Sequence, residues 1–169
     1  MADVDYFLKI SGIQGESQDR THRDEIEVRS WSWGLAKPAA TGPGGAGRAA
    51  FQDFSIIKSV DKASPKLAEA CVTGKHFPEA VLTARRAGGP NFSLDFILIK
   101  LSDVIIPRYQ GSADESESTP IDSFSIDFTK IEYSYSTQKA DGTPDAAARW
   151  TWDLKANSEL ARQSVGLSW

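Results

Sequence analysis

At 169 residues with a formal net charge of −4, the chain is long enough to bury one core without a metal or disulfide staple, and one compact domain is the simplest expectation. Its lysines and arginines are dispersed, which removes the electrostatic footprint that a nucleic acid or an anionic membrane would require. The single cysteine, Cys71, excludes an intrachain disulfide and suits a reducing compartment.

The opening MADVDYFLKISG carries neither a basic leader nor an apolar signal core, and no run approaches the ~20 apolar residues of a membrane span. Synthesis is therefore expected in the cytoplasm, with any export using a route that reads no cleavable signal. Ile26 and Val28 then share one face of a strand while Glu25, Glu27 and Arg29 share the other, yet Trp31 and Trp33 fall on the charged parity. Either a bulge switches the register there or both faces become covered. Residues 37–50, KPAATGPGGAGRAA, have little to bury and form an extended glycine-rich loop. Next, SPKLAEACVTG at 64–74 reads as a short helix, with Ser64 as N-cap, Pro65 in the first turn and Gly74 as the stop. Its apolar stripe, Leu67, Ala70 and Cys71, suits packing on one edge or end of a sheet structure.

Leu94, Phe96 and Leu98 alternate with Ser93 and Asp95 before Ile97 and Ile99 make both faces apolar, so this strand is expected to be covered on both sides. Residues 111–120 are acidic and serine-rich, which predicts a solvated loop. Phe124, Ile126 and Phe128 hold even positions whereas Ile131, Tyr133 and Tyr135 hold odd ones, predicting a bulge or corner near Thr129 and Lys130. The recurrence of short alternating strands argues for a mainly β fold, a two-sheet barrel or sandwich with one short α-helix at its edge.

Motifs that could carry chemistry fail on context. The GPGGAG run is followed by no Lys-Ser/Thr and opens no helix, so it does not read as a phosphate cradle. Cys71 and His76 are separated across a helix end, which does not place thiol and base on one face. His22 and His76 with one cysteine make no recognised ligand spacing. Glu25 and Glu27 lie on a single strand face and do not flank a cleft as paired catalytic carboxylates must. Trp31, Trp33, Trp150 and Trp152 could stack on sugars, but core or subunit packing is the commoner use of such pairs. No enzyme, metal or cofactor is expected.

Several motifs follow one another in an order that resembles the Hcp family of type VI secretion tube proteins. They are DYFLKI at 5–10, GES at 15–17, THRDEIEVRSWSWG at 21–34 and the stretch from Phe51 to Gly89; Val104, Phe124, Tyr133, the QKADG turn and Trp152 continue the likeness. The resemblance implies a β domain over 1–157 that assembles into homo-hexameric rings, which stack into a tube propelled by a contracting sheath. It implies that the extended loop, Gly42, Pro43, Gly44, Gly45, Ala46, Gly47 and Arg48, contacts the neighbouring ring. It also implies export through the type VI apparatus, with effector proteins in the lumen and a VgrG-like spike, sheath and baseplate as partners, and with no nucleic acid or membrane partner. Lumen strands call for small or polar outward side chains, for which Ser30, Ser32, Ser123 and Ser125 are the candidates. The rival readings are a phage-like contractile tail-tube subunit and a carbohydrate-binding β module. The last residues, 158–169, run past the resemblance, and their role is left unassigned.

Overall fold

The structure is a computed structural model that describes residues 4–37, 49–87 and 93–156. The glycines of the extended loop, Gly42 to Gly47 with Arg48, and the tail at 158–169 lie outside the described residues.

Eleven strands and one helix make up the described chain: β1 (Val4–Ile10), β2 (Ile26–Val28), β3 (Ser30–Ser32), β4 (Leu35–Ala36), β5 (Ala50–Phe51), β6 (Phe54–Ser59), α1 (Ser64–Thr73), β7 (Phe77–Ala87), β8 (Ser93–Ser112), β9 (Ile121–Asp127), β10 (Lys130–Gln138) and β11 (Pro144–Asp153). Every named pairing is antiparallel. One ladder runs β2-β1-β7-β8, with β10 and β11 continuing from β8; the other runs β8-β9-β6-β3, and β4 pairs with β5 as a short ribbon. The expected mainly β fold with a single helix is what the chain forms.

β8 belongs to both ladders. Its first part pairs with β7 and β10, and the part from Ile105 onward pairs with β9. Near the end of the first part Asp103 adopts φ 50°, and the β9 register shifts between Ile105 and Arg108. Pro107 sits in that irregularity, where a residue with no N–H costs no ladder bond. A second crossing lies at Arg29, between β2 on one ladder and β3 on the other. This crossing explains the parity change in the sequence. Ile26, Val28 and then Trp31 and Trp33 all reach the core because the chain changes ladders at Arg29. The change near Thr129 is likewise a passage between strands, β9 to β10, with Thr129 N–H donating to the Ser102 carbonyl.

The core between the ladders holds Leu8, Ile10, Ile26, Phe54, Ile56, Leu82, Ile99, Leu101, Ile106, Phe124 and Ile126, each at most 2% exposed. Burial on this scale is the main stabilising term of the fold. α1 packs against β8 through Leu67 and Ala70, which are buried, and Cys71, which is half-buried. The expected cap moves by one residue. Ala63 occupies the N-cap without a side-chain bond, because the Ser64 hydroxyl turns inward to a buried network. Gly74 ends the helix at φ 65° as expected.

The strand beginning at Ser93 departs from its simple alternation. Between Ala84 and Arg85 of β7 the pairing shifts from Ile97 to Asp95, so Phe96 is the extra residue of a bulge. Asp95 is thereby re-aimed to the outer face, beside Arg85. Of the apolar pair of faces, Ile99 is buried, while Leu94, Phe96 and Leu98 are only half-covered. Phe96 carries the Arg86 guanidinium over its ring at 4.7 Å and meets Tyr135 edge-on at 6.3 Å.

Candidate assembly surface and its buried support

The second ladder presents a serine-rich outer face. Two cross-strand rows build it: Ser30, Ile57, Ser123 and Gln110 are successive register partners, and so are Ser32, Ser55, Ser125 and Arg108. All four serines singled out from the sequence therefore lie on one face of one ladder. Ser30, Ser32 and Ser55 are exposed, and Ser123 and Ser125, on an inner strand, are half-buried. Sequence reading missed Ser55, Ile57, Arg108 and Gln110. Ser55 was accessible from the alternation of Phe54, Ser55 and Ile56, whereas Ile57, an apolar residue 39% exposed, breaks that alternation and only pairing with Ser30 and Ser123 reveals its place.

Directly behind this face is a buried polar network. Lys58 of β6 and Asp122 of β9 are register partners and are 0% and 1% exposed. The Lys58 ammonium contacts Asp61 Oδ1 at 2.7 Å, Ser64 Oγ at 2.9 Å, Asp122 Oδ2 at 3.0 Å and the Ser59 carbonyl at 3.1 Å. The Ser64 hydroxyl donates to Asp122 Oδ2, and Tyr109 Oη donates to Asp122 Oδ1 at 2.8 Å. Burial pushes the Asp122 carboxyl up, but the bonds from Ser64, Lys58 and Tyr109 outweigh it and hold the group below its ordinary value. Burial, followed by the bond to Asp122, pushes the Tyr109 hydroxyl up to about 12. The network ties β6, β8, β9 and the start of α1 together, and every charge in it has a partner.

Residues 14–25 cover part of the outer face of the first ladder, around Phe7 and Arg85. Arg85 Nη1 meets Asp19 Oδ2 at 2.5 Å and Arg85 Nη2 meets Asp5 Oδ2 at 3.2 Å, while the guanidinium lies 4.9 Å over the Phe7 ring. His22 stacks on the same ring at 4.5 Å and sets Nδ1 2.9 Å from Glu25 and Nε2 3.1 Å from Asp95. Burial works against ionisation of Asp19, yet the Arg85 bond and the N–H groups of Thr21 and His22 hold its carboxyl well below the usual range. A cleft of about 680 Å³ beside this segment is lined by Asp5, Tyr6, Asp19, Arg29, Val60 and Arg85 among others.

The other residues weighed for chemistry are dispersed. Cys71 packs against the core, and His76 Nδ1 lies 3.1 Å from Asp103 on an exposed surface. Glu25 is bound to His22, and Glu27 projects to solvent. Among the described residues, no group of three or more His, Cys, Asp or Glu could hold a metal ion, and no helix is long and apolar enough to cross a membrane. Trp31 and Trp33 stack on Phe54 at 5.8 and 6.2 Å, and Trp150 stacks on Phe51 and Trp152 at 6.4 and 6.3 Å. These rings pack against the core, which is the structural use of the paired tryptophans.

Comparison with known proteins gives one answer. The family described as "Type VI secretion system effector, Hcp" matches residues 7–135. The protein hcp1 of Pseudomonas aeruginosa is 37% identical over 158 residues, which covers 91% of this chain and 97% of that protein. The crystal structure of Hcp1 from Salmonella typhimurium superposes with a TM-score of 0.79 at 28% identity, over 94% of this chain and 100% of that one. A type VI secretion system effector from Yersinia pestis gives a TM-score of 0.74 at 33% identity, over 88% of this chain and 99% of its own.

Proposed function

Since the chain belongs to the Hcp family and is a structural subunit of the type VI secretion tube, we propose that it works as a homo-hexameric ring whose serine-rich face lines the channel. The observation that carries this reading is the gathering of Ser30, Ser32, Ser55, Ser123 and Ser125 on one face. Short hydroxyl side chains keep such a wall wetted and leave it without protruding bulk, while Ile57 and Arg108 give it a few points of apolar and charged contact for cargo. One compact surface can bind another head-to-tail, and such heterologous contacts close into a ring when the rotation fits. Closure of the two ladders into a full barrel would give each subunit the rigidity that a stacked wall requires.

Stacked rings form the conduit, effectors travel in the lumen, and the spike, sheath and baseplate are the protein partners. Export proceeds through the same apparatus with no cleaved signal. The protein has no catalytic role in this reading. Purified protein should run as a hexamer by light scattering coupled to size exclusion and appear as a six-fold ring with an open centre in negative stain. A stable monomer at every concentration would defeat the proposal.

Two variants probe its parts. Ser30→Arg should leave ring formation intact and lower effector retention roughly tenfold, a change of ~1.4 kcal/mol in binding; unchanged co-purification of an effector would remove Ser30 from the channel wall. Deletion of 42–48 should leave rings able to form and abolish long tubes, because the glycine-rich loop supplies the contact between rings. Persistence of tubes in the deletion variant would assign stacking to other surfaces.

A further inference from the structure

The apolar pattern of β6 and β9 settles which face is buried but not which residues stand opposite each other. Phe54 and Ile56 point inward, as do Phe124 and Ile126, in the register Phe54 to Ile126 and Ile56 to Phe124. A slip of two residues keeps these side chains inside, since strand faces repeat with period two. It would set Ile56 against Ile126 and exchange one apolar pair for another. What it cannot preserve is the partnership of Lys58 with Asp122, because Lys58 would then face Phe124 and Asp122 would face Val60.

We propose that the buried Lys58–Asp122 pair is the register lock of the β6–β9 ladder, selecting one alignment of the outward face from alternatives that the apolar side cannot tell apart. Both ends of the lock are fixed independently of the ladder. Asp61, in the turn after β6, and Ser64, at the start of α1, hold the ammonium, and Tyr109 of β8 holds the carboxylate. A slipped strand therefore parts the Asp122 carboxylate from the Lys58 ammonium and leaves it buried without its countercharge, which is far more unfavourable than a rearranged apolar contact. A buried polar contact in an apolar seam is a recognised device for fixing alignment. The outward consequence is specific. In the slipped ladder Ile57 leaves its place beside Ser123 and moves beside Ser125. The effect on the channel wall rests on reading this face as the lumen; the lock itself does not.

Disulfide trapping on the exposed face tests the lock, in a Cys71→Ala background. Ile57→Cys with Ser123→Cys places the two thiols directly opposite each other in the native register. Ile57→Cys with Ser125→Cys places them on a diagonal of roughly 7–8 Å, beyond ready bridging, unless the strands have slipped. With Lys58 and Asp122 intact, mild oxidation should close the first pair and leave the second open. In Lys58→Met/Asp122→Leu, closure of the second pair should rise roughly tenfold. A folded double variant that closes only the first pair overturns the lock. Should the double variant not fold, Asp122→Asn, which keeps the shape and an acceptor but removes the charge, carries the same cysteine pairs. There, closure of the second pair supports the lock and closure of the first alone overturns it. Effector retention is measured on the same proteins; a slipped ladder with unchanged retention would sink the lumen reading and leave the lock standing.

Discussion

Lys58→Met as a single substitution should destabilise the fold by about 3–5 kcal/mol, because it leaves the Asp122 carboxylate buried without its countercharge. Against a typical stability of ~5–15 kcal/mol, that is enough to unfold a large share of the protein on modest warming. In a chain of this size the melting temperature should fall by about 6–20 °C. The matching Asp122→Leu variant should be similarly damaged, and the two losses should not add, since the double variant removes both charges together. Full additivity in a double-mutant cycle would show that the two side chains do not act as a pair. The pH dependence has a definite sign. Asp122 is held below its ordinary value of 3.8, so its contribution is complete above that pH and fades as pH falls through the lowered value. Tyr109 is raised from 10.0 to about 12. Its contribution is complete below pH 10.0 and is lost as pH rises toward about 12, because burial disfavours the phenolate and a second negative charge would then stand against Asp122. Urea midpoints measured across pH should therefore fall at the alkaline end in the native protein and much less in Tyr109→Phe.

Gly15→Ala should be the most damaging glycine-to-alanine change among the described residues, at about 3 kcal/mol or more. A Cβ at this position would meet the Glu25 carbonyl oxygen and lie 2.5 Å from its carbon and 2.6 Å from Ile26 Cα. All three atoms are backbone, so no side chain can move aside. The close approach is built by two bonds, Gly15 N–H to the Asp24 carbonyl at 2.8 Å and Ser17 N–H to the Glu25 carbonyl at 3.1 Å. They fold residues 14–25 back on themselves and deliver Asp19 and His22 to Arg85, Phe7 and Asp95. Thermal melts should show a loss of about 6–12 °C. Amide exchange should quicken first in this segment, and a variant melting within a degree of the parent would mean that the segment tolerates a different path.

The helix and the serine face were legible in the sequence for different reasons. Pro65, Gly74 and the spacing of Leu67, Ala70 and Cys71 are local signals, and the helix they predict forms with only its cap displaced to Ala63. Ser30 and Ser32 alternate with Trp31 and Trp33, and Ser123 and Ser125 with Phe124 and Ile126, so each pair takes the face opposite its apolar neighbours. That β6 lies between them is a property of pairing that no local pattern contains. The Lys58 network was illegible for the same reason: 64 positions separate Lys58 from Asp122, and a lysine in a strand ordinarily reads as solvent-facing. The bulge at Phe96 was hidden because the run of apolar residues from Phe96 to Ile99 allows either parity, and only the Arg85 to Asp95 register shows where the alternation breaks. The switch at Arg29 was foreseen as an anomaly of Trp31 and Trp33, and its cause is a change of ladder.

β8 is one continuous strand of 20 residues shared by the two ladders, and this sharing governs how the molecule can fail. Opening the first ladder strips the stretch from Ser93 to Val104 of its partners, and opening the second does the same from Ile105 onward. Each half is tethered to the other through one backbone, which couples the opening of the two ladders. A subunit of a secretion tube gains from that coupling, which favours all-or-none loss over partial opening. Half-open chains with exposed strand edges, the forms that aggregate, are thereby disfavoured.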